Sequence, residues 1–157
     1  MGSCFGNLFR LPARRLLMGK VIHGMLTRQI ITKKKHEMWP VFGGNPFRFS
    51  LVEFGEATGL PCGEFEEGYS TDYEMLPTEE NYAYWEKLIG TNRDVLIEDL
   101  VRMVQGDEGM PGWRKLRLCL IIIVDGVLAP TAQKPKPSLK HVNLVKSLKK
   151  FYAFQWG

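Results

Sequence analysis

The stretch from Pro46 to Gly63 constrains the fold more than any other part of the chain. It runs Pro46-Phe47-Arg48-Phe49-Ser50-Leu51-Val52-Glu53-Phe54-Gly55-Glu56-Ala57-Thr58-Gly59-Leu60-Pro61-Cys62-Gly63 and reads as a strand, a capped helix and a helix stop. Ser50 with Glu53 three residues later forms a capping box, in which each side chain satisfies a free backbone N–H at the helix start. Gly59 suits the left-handed position past the helix end, and Leu60 can fold back onto the last turn. Pro61 then prevents continuation. Upstream, residues 37–42 and Phe47-Arg48-Phe49 flank Gly43-Gly44-Asn45-Pro46, which predicts a hairpin with a glycine-rich turn. Pro40 has no N–H for a ladder, which predicts an edge position for its strand.

The rest of the chain reads as helix and loop. Leu16, Leu17, Val21, Ile22, Met25, Leu26 and Ile30 recur at helical spacing and predict an amphipathic helix over about residues 14–31. Residues 61–77 are rich in Pro, Gly and acids and predict a loop. Thr78 opens a helix whose buried stripe is Tyr82, Trp85, Leu88 and Ile89, with Gly90 as its stop. Thr91-Asn92-Arg93-Asp94 predicts a cap for the next helix, which carries Val95, Ile97, Leu100, Val101 and Val104 inward. Residues 113–129 are β-favouring in composition, but the length and basic start of the segment predict a buried helix. Ser138 is expected to cap a last helix with Val142, Val145, Leu148 and Tyr152 on its apolar face. The fold class is therefore mainly α, with one small β-hairpin at about residues 37–49 followed by a capped helix at 51–58.

At 157 residues the chain is read as a single domain over 1–157, long enough to bury about 70% of its unfolded surface. Cys4, Cys62 and Cys119 are far apart and odd in number, so neither a disulfide framework nor a zinc ribbon is indicated. A reducing, intracellular setting is expected. No apolar run is long enough for a membrane span. Arg10, Arg14, Arg15 and Lys20 interrupt any signal-peptide pattern. Gly6 stands where an acylation motif at Gly2 wants Ser or Thr.

Charge is distributed unevenly. Residues 1–50 carry a net +8, residues 51–110 a net −12 and residues 111–157 a net +8. Two readings follow. Basic elements can pack beside acidic ones within the molecule, or a basic face can meet nucleic acid or an acidic partner. On the second reading the contact residues are Lys33, Lys34, Lys35, Arg48, Lys149 and Lys150. Phosphate contact needs only such cations on one face. Trp113, Phe151 and Tyr152 offer rings for base stacking, but core packing is the expected place of each.

Catalytic patterns are weak. His23 sits on the first helix and is expected to be partly buried and structural. His36 and His141 adjoin lysines and are expected in solvent. Cys62 follows a helix C-terminus, where the dipole disfavours a thiolate. Glu64, Glu66, Glu67, Asp72 and Glu74 fall in an irregular acidic stretch without metal-loop spacing. Gly43-Gly44 lacks the Gly-Lys-Ser/Thr of a phosphate cradle. No catalytic, cofactor or metal residue is assigned.

Several runs together resemble a known family. They are Met25-Leu26-Thr27-Arg28-Gln29, Glu37-x-Trp39, Phe42-Gly43-Gly44, Arg48-Phe49-Ser50-Leu51 with Glu53-Phe54, Thr58-Gly59-Leu60-x-Cys62, Leu116-Arg117-Leu118, Val124-Asp125-Gly126-Val127 and Trp156-Gly157. They look like a plant-specific domain of unknown function found upstream of ubiquitin-like-protein-specific (SUMO) protease domains in transposon-derived crucifer proteins. The strand, capped helix and Gly-Leu stop are similar in logic to the plant mobile domain. The resemblance implies a non-catalytic interaction or targeting domain that recruits a protein or chromatin partner, in the nucleus rather than the cytoplasm. It also implies that relatives continue beyond Gly157 and that no protease activity attaches to this chain. Direct nucleic-acid binding through the basic ends is the alternative. A truncated copy without retained function is a further one.

Overall fold

The computed structural model describes residues 5–7, 10, 18–34, 37–63 and 75–156. Among them are seven α-helices and four two-residue strands, so the mainly α class with a small hairpin holds. The chain divides into two compact units. One comprises residues 1–69 with 152–157, and the other residues 70–151.

The first unit begins, among its regular elements, with α1 (Met18–Thr27), β1 (Glu37–Met38), β2 (Val41–Phe42), β3 (Asn45–Pro46), β4 (Phe49–Ser50) and α2 (Leu51–Thr58). Helix α1 stops at Thr27, short of the expected residue 31; residues 14–17 lie outside the described residues. The chain becomes extended instead. Ile30 N–H donates to the Trp39 carbonyl at 2.9 Å, and Val41 N–H to the Arg28 carbonyl at 2.9 Å. Backbone pairing with Pro40 thus overrides helical periodicity, and Leu26 and Ile30 are about half exposed rather than on a buried stripe.

The four strands form one hairpin with a gap. β1 pairs antiparallel with β4 through Met38↔Phe49, and β2 with β3 through Val41↔Pro46. The register is continuous, so Pro40 lies opposite Phe47. Phe47 N–H donates to the Pro40 carbonyl at 3.0 Å. Pro40 has no N–H to return, and the ladder breaks there. The expected edge position is overturned, because Gln29 bridges Pro40 from the other side and Pro40 is fully buried. Pro46 sits at an outward-facing register position, where its missing donor costs no ladder bond. Gly43 and Gly44 have φ of 59° and 82°, the pair of positive values that a two-residue type I′ turn requires.

Helix α2 forms as its local signals dictate. Ser50 is extended, its Oγ accepts from Val52 N–H at 3.2 Å, and Glu53 Oε2 accepts from Ser50 N–H at 2.8 Å. Gly59 takes φ 72°, and its N–H donates to the Gly55 carbonyl at 2.7 Å. Leu60 is buried. The end of the chain returns to this stop: Trp156 N–H donates to the Pro61 carbonyl at 2.9 Å, and its ring lies 6.3 Å from buried Phe5.

The second unit contains α3 (Glu79–Leu88), α4 (Ile97–Gly106), α5 (Gly112–Ile123), a single π-helical turn (Val124–Leu128) and α6 (Leu139–Leu144); α7 (Leu148–Ala153) leads out of it. Thr78 caps α3, and Trp85, Leu88 and Ile89 are buried as the spacing predicts. The cap expected at residues 91–94 is displaced. Asn92 Oδ1 accepts from Asp94 N–H at 2.9 Å, a local turn, and α4 begins at Ile97. There Asp99 accepts from Leu96 N–H at 3.0 Å. The segment 113–129 is helical, as expected from its length, and widens at its end. Ala129 N–H donates to the Val124 carbonyl at 2.8 Å, a five-residue step. The expected last helix is split at 145–147, and Ser138 makes no side-chain cap bond.

Candidate functional site

The capping box is also an ionic site. Arg48 Nε donates to Glu53 Oε1 at 2.8 Å, while the Ser50 hydroxyl donates to Glu53 Oε2. These hydrogen bonds, that of Ser50 first, hold the Glu53 carboxyl at about 2, well below its ordinary 4.5. A carboxyl with a depressed folded-state pKa adds stability that is complete above its unfolded pKa and is lost as pH falls through the folded value. The contribution of Glu53 therefore fades between about 4.5 and about 2. Thermal melts across this window should show the advantage of the parent chain over Glu53→Gln shrinking as pH falls. A constant difference would refute the assignment. Ser50→Ala should cost about 1 kcal/mol at neutral pH through the lost cap, read from a urea midpoint.

A second polar site lies in the π-helical turn. Asp125 is 4% exposed. Its Oδ2 accepts from Ser138 N–H at 2.9 Å, and its Oδ1 meets His141 Nδ1 at 2.5 Å. His141, expected in solvent, has a side chain only 16% exposed. The reversal has a local cause. Ser138 opens α6, whose first N–H groups need acceptors, and the Asp125 carboxylate supplies one while drawing in the ring one turn later. Gly126 beside it allows close approach, since a Cβ there would stand 3.0 Å from Ile97 Cγ2 and that side chain would have to give way. Asp125 thus ties the π-helical turn to α6, and Gly126 lets that turn lie close to α4.

His23 is exposed, against the expectation of partial burial. It precedes the early end of α1, where its carbonyl accepts from Thr27 Oγ1 at 2.8 Å. His36 and residues 64–74 lie outside the described residues. Burial pushes the Cys62 thiol up, away from thiolate character. Among the described residues, no group of three or more His, Cys, Asp or Glu side chains is placed to hold a metal ion.

The six basic contact candidates divide between the units. Lys33, Lys34 and Arg48 belong to the first, Lys149 and Lys150 to the second, and Lys35 lies outside the described residues. Lys33, Lys149 and Lys150 are exposed. Lys34 reaches Glu37 at 3.4 Å, and Arg48 is committed to Glu53. Internal complementarity operates elsewhere as well, with Lys136 on Asp94 at 2.6 Å and Arg93 on Glu79 at 2.8 Å.

Two exposed aromatic features were not legible from spacing. On one hairpin face the Phe42 and Phe47 rings stack at 5.8 Å, and Arg28 lies 5.9 Å above Phe42. In the second unit Trp113 is 42% exposed, overturning its expected core position. It stands in the first turn of α5, one turn before the buried stripe begins at Leu118. Phe151 is buried as expected, and Tyr152 is half-buried.

No helix among the described residues is long and apolar enough to cross a membrane. No curated protein and no solved structure matches the chain. The family model for a domain of unknown function, DUF1985, matches residues 26–157. That span takes in the hairpin, the capped helix, the helices of the second unit and the closing tryptophan, and the chain belongs to the DUF1985 family.

Proposed function

We propose that this chain is a non-catalytic interaction domain that recruits a protein or chromatin partner. The observation that carries this reading is the exposed Phe42–Phe47 stack with Arg28 beside it. Rings presented on a tight hairpin lose little freedom on binding, and aromatic and arginine side chains dominate protein recognition. The polar side chains that could suggest chemistry have structural duties here: Glu53 caps α2, and Asp125 with His141 joins α6 to the π-helical turn. The resemblance to plant regions that precede SUMO-protease domains supports an accessory role in positioning such an enzyme in the nucleus.

The test compares proteins from a nuclear extract retained by the parent chain with those retained by a Phe42→Ser/Phe47→Ser variant. The variant's fold is checked by circular dichroism. A retained protein is then purified and its direct affinity measured for both chains. Direct binding that weakens about thirtyfold in the variant, the effect of losing an aromatic hot spot, is expected. Equal affinity overturns the surface. Hydrolase turnover abolished by a single substitution overturns the non-catalytic reading.

Direct nucleic-acid binding is a second reading, supported by the exposure of Lys33, Lys149 and Lys150. Anisotropy of labelled duplex and single strands over a salt series tests it. Steep weakening with salt, reduced by Lys33/Lys34/Lys35→Glu, is the expected signature. Binding unchanged by that reversal excludes this site.

A further inference from the structure

The second unit carries an aromatic-basic surface separate from the hairpin, and we infer that it docks an acidic, amphipathic peptide segment of a partner protein. Trp113 and Leu116 lie one turn apart on α5, and each is 42% exposed. Lys87 from α3 places Nζ 5.6 Å from the Trp113 ring centre, and the Arg117 guanidinium lies 5.8 Å from it. Two elements thus bring an apolar pad and two cations, Lys87 and Arg117, together.

Nothing acidic on α5 offsets this charge. The helix has no acid in its sequence, and its N-terminal end adds the positive pole of its dipole. On α3, Glu86 adjoins Lys87 but is paired with Arg93 at 3.5 Å. Arg114 is not part of the surface, because its Nε donates to the Leu88 carbonyl at 2.8 Å and closes the end of α3. Arg117 is different. Its Nη1 donates to the Trp113 carbonyl at 3.1 Å, but its Nε–H is buried without an acceptor. A carboxylate arriving from solvent meets the outer N–H groups of this guanidinium.

The arrangement favours a peptide over a nucleic acid. A base stacks on an open ring face, whereas the Trp113 ring already has two cations held against it. Those cations are placed to receive carboxylates, while the ring edge and Leu116 accept an aliphatic or aromatic anchor. A chain of Asp and Glu interrupted by Leu or Phe provides both, by charge complementarity and apolar contact.

The test uses the whole chain and a short labelled peptide of Asp, Glu, Leu and Phe, acidic on one helical face. The control peptide has its acids replaced by Asn and Gln. The parent chain should bind the acidic peptide and not the control, and salt should weaken binding. Trp113→Ser should weaken it about thirtyfold, the effect of removing a hot-spot aromatic. Lys87→Glu should weaken it and reduce its salt dependence. Both side chains are exposed, so both variants should fold. Phe42→Ser/Phe47→Ser should leave peptide affinity unchanged, which separates this surface from the hairpin. Peptide affinity indifferent to Trp113→Ser and Lys87→Glu overturns the inference. Failure to bind the acidic peptide overturns it, as does preferential binding of an oligonucleotide lost in the same two variants.

Discussion

Replacing Asp125 with alanine is expected to lower the unfolding free energy by about 1–3 kcal/mol, the loss typical of leaving a buried hydrogen-bond donor without its acceptor. The carboxylate accepts from Ser138 N–H and meets His141 Nδ1. Alanine would leave a helix-opening N–H and an imidazole nitrogen without that acceptor, in a place where water has little access. Asp125→Asn should cost less, because its one carbonyl oxygen can still serve one of the two. A urea titration of the three chains checks the order. A loss below about 1 kcal/mol for Asp125→Ala would mean that the pair contributes no more than an exposed one.

Leu118→Ala should cost about 2–5 kcal/mol, the range for a buried leucine truncated to leave a cavity. Leu118 is fully buried on α5, the helix that packs against both α3 and α4. A void there removes contacts from several helices at once, so the site has little freedom to collapse around it. The denaturation midpoint should fall with an unchanged m-value, since the surface exposed on unfolding is nearly the same. A cost within about 0.5 kcal/mol, as for a surface site, would show that α5 is not the centre of this unit.

Local signals proved legible where a few neighbouring residues decide the conformation. Ser50 with Glu53, Gly59 with Leu60, Thr78 before Glu79 and the Gly43-Gly44 pair each specify a cap, a stop or a turn from within their own segment. Periodicity located the Trp85–Leu88–Ile89 stripe because helix and burial agree there. Contacts distant in sequence were not legible. Apolar spacing extends α1 past Thr27 because it carries no sign of the backbone pairing between Gln29 and Pro40. The charged neighbours of His141 point it to solvent, whereas its partner lies sixteen residues upstream. A tryptophan is usually well buried, but Trp113 stands at the end of a helix whose inward face starts later. The candidate site was the least legible part, since net charge shows how many cations exist and not which are already paired. Arg48 is the instance: counted as a contact residue, it is bound to Glu53.

The hairpin's prolines also bear on how this domain keeps to itself. Phe47 N–H points inward to Pro40, so Pro46, Arg48 and Ser50 direct their backbone groups away from the ladder. Pro46 has no donor, and the Ser50 N–H is taken by Glu53. A strand from another molecule laid along this margin would find one N–H donor, that of Arg48, between a proline ring and the start of α2. Short, proline-marked margins of this kind resist edge-to-edge growth. The segment Phe47-Arg48-Phe49, with its two exposed rings, thus presents a poor template to a second copy of the chain.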